Sequence, residues 1–145
     1  MWKKSLKWGV LLGVAISFWE LVRMYARMYQ YEARSMFDLV LIIVFIALLY
    51  LAQKDYKETL GGGYLSFAKA FGIGVIVTVT ALLIYLCYML FQFSLIEPTA
   101  VQRIYEGKVT NVLAAAMLYS LPVLLYGLFF DLFTAMYLYK KKEDK

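Results

Sequence analysis

Four long apolar runs leave this chain of 145 residues few ways to fold in water. A helix needs about 20 mostly apolar residues to cross the hydrocarbon core of a bilayer. The runs lie at about Leu6 to Met28, Phe37 to Ala52, Phe67 to Phe93 and Val112 to Tyr139. The second is short and opens with Asp38, the third is long enough to cross at a tilt, and the fourth carries Pro122, which predicts a bend. Hydrophobic residues make up 63% of the chain and charged ones 17%, too few to cover the surface of a small soluble domain. Lipid removes that difficulty, because apolar side chains then face outward. The expected fold is an all-α integral membrane bundle of four transmembrane helices forming one domain over residues 1–145. The first run is read as a retained helix. It follows a basic start but has no clear cleavage site, and it continues into Phe18, Trp19 and Glu20.

Charge placement predicts orientation. Ten of the 15 lysines and arginines fall on the side of the two termini and the second connection, among them Lys3, Lys4, Lys7, Lys54, Lys57 and Lys69. Arg23, Arg27, Arg34, Arg103 and Lys108 fall on the other. Basic residues in short loops stay in the cytoplasm, so both termini are expected there. The net charge of +5 is thus spent beside apolar segments, against anionic headgroups, and nucleic acid is not an expected partner.

The chain has one cysteine, Cys87, and no histidine. An intrachain disulfide is therefore impossible, a Cys/His metal site is not expected, and the usual general base is missing. Gly61-Gly62-Gly63 lacks the Lys-Ser/Thr ending of a phosphate loop and reads as a tight turn. Ser66-Phe67-Ala68-Lys69 matches a serine-acylase pattern without its companion motifs. Ser66 is expected to cap the third helix. No catalytic residue and no cofactor is expected.

Helical spacing divides each run into faces, at about 100° per residue. On the first, Gly9, Gly13, Ser17, Glu20, Arg23 and Arg27 share one side. The small residues Gly9, Gly13 and Ser17 let another backbone approach. Glu20 and Arg23 have the spacing of an ion pair. On the third, Ala70, Gly74, Thr78, Ala81, Tyr85, Tyr88 and Gln92 form a stripe, and on the fourth Ala116, Ser120, Gly127, Asp131 and Thr134 do so. Counting depth along each span places Ser17, Glu20, Thr78 and Asp131 in one middle layer, with Arg23 close by, as a candidate buried polar cluster. Gly9, Gly13, Gly74 and Gly127 are the candidate packing positions. Between Pro98 and Tyr105 the spacing of Val101, Ile104 and Tyr105 predicts a short amphipathic helix.

The stretch Asp55-Tyr56-Lys57, then Gly61-Gly62-Gly63-Tyr64-Leu65-Ser66-Phe67-Ala68-Lys69-Ala70-Phe71, a long span and Leu95-Ile96-Glu97-Pro98, resembles a bacterial membrane family, domain of unknown function 4199. The resemblance runs over about residues 35 to 140. It implies four helices in a bacterial inner membrane and carries over no catalytic residues. It also implies an association with envelope biogenesis, for which a membrane glycosyltransferase is a reasonable partner, beside the bilayer itself or self-association. The reading is a non-enzymatic scaffold or accessory subunit of an envelope complex. The alternative is a small transporter or lipid-binding module that uses the buried acids Glu20 and Asp131.

Overall fold

A computed structural model of the chain describes residues 2–27, 34–96 and 111–139. Four helices make up the fold: α1 (Trp2–Arg27), α2 (Arg34–Thr59), α3 (Phe67–Phe91) and α4 (Val112–Leu138). A π-helical turn, Gln92–Ile96, extends α3. No β-strand occurs among the described residues. Within these helices the segments Trp2–Val22, Leu39–Thr59, Phe67–Leu95 and Val112–Leu138 are each long and apolar enough to cross a membrane. The predicted amphipathic helix beyond Pro98 and the basic tail from Lys140 lie outside the described residues.

Exposure runs opposite to that of a soluble protein. Phe18 is 64% exposed and Leu125 59%, while Gln53, Thr78 and Asp131 are 0%. Such a surface is stable only against acyl chains, so the chain is a multi-pass membrane protein.

The ends of the helices follow local chemistry. The Ser66 side chain accepts the Lys69 N–H and Asn111 accepts that of Leu113, capping α3 and α4. Between α2 and α3 the backbone reverses through Gly62 and Gly63, at φ 56° and 84°. The Gly63 N–H reaches back to the Lys57 carbonyl at 3.0 Å and closes the end of α2. Only glycine takes two successive left-handed conformations without strain.

The second helix corrects a boundary. Its apolar run was expected to end at Ala52, yet α2 continues to Thr59. The charged residues beyond Ala52 keep the helix because each finds a place at the membrane boundary. Trp8 Nε1 donates to Asp55 Oδ2 at 3.2 Å, Lys4 lies 3.6 Å from Asp55 Oδ1, and Lys57 Nζ donates to the Leu138 carbonyl at 3.3 Å. The start of α1, the end of α2 and the end of α4 are thereby tied together at one end of the bundle. Helix α4 is continuous through Pro122, which faces outward.

Around the bundle the order is α1, α3, α4, α2, so α1 and α4 are diagonal. Gly9 and Gly13 seat α1 on α3: a Cβ at Gly9 would lie 2.5 Å from Cβ of Thr80, and one at Gly13 2.8 Å from Cβ of Ile84. These two helices run parallel, although they are not neighbours in sequence. Leu12, Ile16, Phe45, Leu49, Ile73 and Val77 fill the centre.

Candidate functional site

Polar groups gather where α2, α3 and α4 meet. Asp131 projects from α4 against the backbone of α3 at Gly74, where a Cβ would stand 2.6 Å from Asp131 Oδ2 and nearer still to Oδ1 and Cγ. One turn away the relation is reversed. Thr78 of α3 projects against α4 at Gly127, where a Cβ would stand 2.7 Å from Thr78 Oγ1. Two rungs result, each a polar side chain fitted against a glycine of the facing antiparallel helix. The glycines are required by this close approach, since any side chain there would occupy the space of the carboxylate or the hydroxyl.

From α2, Gln53 completes the group. Its Nε2 donates to Asp131 Oδ1 at 2.6 Å. Gln53 falls one turn beyond Leu49 and two beyond Phe45, on the buried face of α2. Among the described residues no lysine or arginine lies within ion-pair distance of Asp131. Gln53 Oε1, Thr78 Oγ1 and Asp131 Oδ2 are buried without a hydrogen-bond partner. Chemically, the arrangement is a cluster of oxygen acceptors around one carboxylate, without a nucleophile–base pair. Among the described residues no group of three or more His, Cys, Asp or Glu converges.

Of the residues singled out in sequence, Thr78 and Asp131 occupy adjacent rungs, and Gly127 and Gly74 are the surfaces they respectively rest on. Ser17 and Glu20 do not join them. With Gly13 seated on Ala81 and Ile84, Glu20 stands roughly 20 Å along the bundle from the level of Gly74 and Asp131, toward the other end. Ser17 satisfies itself by donating to the Gly13 carbonyl at 2.8 Å, and Glu20 is buried on α1. The side chains of Arg23 and Arg27 lie outside the described residues, and with them the expected ion pair to Glu20. The single middle layer is therefore corrected to a Gln53–Thr78–Asp131 group, with the polar face of α1 at a separate level.

Over residues 7–120 the chain matches the family described as Protein of unknown function (DUF4199). That segment begins earlier and ends sooner than the resemblance read from sequence. It contains Gln53, Gly74 and Thr78 but stops short of Gly127 and Asp131. No curated protein and no solved structure matches the chain.

Proposed function

The chain belongs to the DUF4199 family of proteins of unknown function, and we propose that it acts there as a non-enzymatic scaffold or accessory subunit of a bacterial envelope complex. The observation that carries this reading is how the interior is used. Gly9, Gly13, Gly74 and Gly127 are all consumed by contacts within the chain, with Thr80, Ile84, Asp131 and Thr78 respectively. At these points backbone and side chain meet in close contact, between α1 and α3 and between α3 and α4, so the small residues join the chain's own helices. What the molecule offers outward is a broad apolar surface, including Val14, Phe18, Leu83 and Leu125. Such a surface suits lipid and a partner helix, and a membrane glycosyltransferase or a second copy is the partner of choice.

A photo-crosslinking amino acid placed singly at Val14, Leu83 and Leu125 tests this in native membranes. Adducts to one discrete protein or to a second copy are expected from at least one position and not from all. Labelling of lipid alone at every position would refute the reading.

The residence proposed is the bacterial inner membrane, with both termini in the cytoplasm. Lys3, Lys4, Lys7, Lys54, Lys57 and Lys69 all belong to the end of the bundle that holds the start of α1 and the α2–α3 turn. A reporter active only in the periplasm, fused after Lys145, is expected to stay inactive, and one that is active only in the cytoplasm to work. The reverse pattern would overturn the orientation.

A further inference from the structure

Hydroxyls inside an apolar helix ordinarily satisfy themselves by donating to the carbonyl one turn back. Ser17, Thr80, Ser120 and Thr134 do so, to Gly13, Ile76, Ala116 and Phe130. Thr78 does not. Its Oγ1 is turned toward α4 and is left without a partner in a residue that is 0% exposed. Gln53 Oε1 and Asp131 Oδ2 share this condition, in residues equally buried. Gln53 bonds Asp131, and the Thr78–Gly127 rung is the next one along, one turn or about 5.4 Å from the Gly74–Asp131 rung.

We propose that Asp131 Oδ2, Gln53 Oε1 and Thr78 Oγ1 form an intramembrane binding site for one small monovalent cation of the size of sodium. The donor set consists of a carboxylate, an amide carbonyl and a hydroxyl, all hard oxygen ligands suited to such an ion. One carboxylate balances one positive charge, so the loaded site is neutral, as a site within lipid needs to be. A divalent ion would leave an excess charge there, which a site within lipid disfavours. Among the described residues no lysine or arginine pairs with Asp131, and the nearest lysine along this face of α2, Lys57, is held by the Leu138 carbonyl. A proton on Asp131 would neutralise the carboxylate and leave Thr78 unexplained, whereas an ion uses all three oxygens. The proposal is independent of the accessory-subunit reading, since a bound ion can serve simply to hold three helices together.

The purified full-length protein in detergent tests it by thermal unfolding in sodium chloride and in choline chloride at matched ionic strength. Stability rises with the concentration of a ligand that binds only the folded state. The midpoint is expected to climb by about 5 °C over a roughly hundredfold increase in sodium, and not in choline. The shift should vanish in Thr78→Val, which keeps the side-chain shape, and in Asp131→Asn. The wild-type comparison stands even if a variant fails to fold. Three outcomes overturn the proposal: no sodium-specific shift in the wild type, an unchanged shift in Thr78→Val, or, at saturating sodium, an infrared band of a protonated carboxyl that disappears in Asp131→Asn.

Discussion

Gly74→Ala is expected to destabilise the bundle by about 2–3 kcal/mol, although alanine is the better helix former. The added methyl would sit inside the contact distance of Asp131 Oδ1, Cγ and Oδ2. Relief requires the carboxylate to swing away from Gln53, breaking a 2.6 Å bond in a medium that offers no replacement. A hydrogen bond to a charged group contributes about 1.5–3 kcal/mol, and overpacking adds about 1–3 kcal/mol. Against these, the gain in helix propensity is about 1 kcal/mol. Gly72, two residues earlier, is the internal control. A Cβ there meets nothing within 4 Å, so Gly72→Ala should be neutral or mildly stabilising. Unfolding in mixed micelles measures both, and adding Asp131→Ala to Gly74→Ala should recover most of the loss by removing the atoms the methyl strikes. A Gly74→Ala protein as stable as the wild type would show that Asp131 moves freely and that the glycine is not required by it.

The four spans were legible because bilayer thickness imposes a length and an apolar content that composition alone reveals. The inward faces of α3 and α4 were legible for a related reason: Gly74, Thr78, Gly127 and Asp131 are unlike the leucine and phenylalanine around them, and helical period puts them on single sides. Gln53 was hidden by its neighbours. Lys54, Asp55, Lys57 and Glu58 follow it, and the drop in hydropathy there looks like the end of a span. Backbone hydrogen bonding continues regardless, and those charges sit where Trp8, Lys4 and the end of α4 can engage them. The signal that would have found it is the four-residue step Phe45, Leu49, Gln53, which extends the buried face past Ala52. The level of Glu20 was misjudged for another reason. Counting along one span gives no common zero for its neighbours: Lys4 at the start of α1 already reaches Thr59 at the end of α2, at 2.6 Å. Relative helix height is set by pairs such as Gly9 on Thr80, which no single span's periodicity contains.

Gln53→Leu is the second change expected to have a large effect, and its value lies in comparison with the double variant Gln53→Leu/Asp131→Leu. Alone, it removes the one donor that Asp131 has among the described residues and leaves its carboxyl group in a dry interior. Leaving a buried acceptor without its donor typically costs about 1–3 kcal/mol, and more where the group is charged. Replacing both partners by leucine, which branches at Cγ as aspartate does, leaves no polar atom to satisfy and lets apolar packing take over, so the double variant should be the more stable of the two. Ordinary hydrogen bonds between membrane helices show coupling near 0.6 kcal/mol, because the separated helices find other partners. Here the coupling in a cycle of Gln53→Leu, Asp131→Leu and the pair should exceed about 1.5 kcal/mol, since Gln53 is the one described side chain that donates to the carboxylate. Additive losses would mean that Gln53 and Asp131 are bystanders to one another, and that the meeting of α2 with α4 is held instead by Phe45 against Phe130 and Tyr50 against Tyr137.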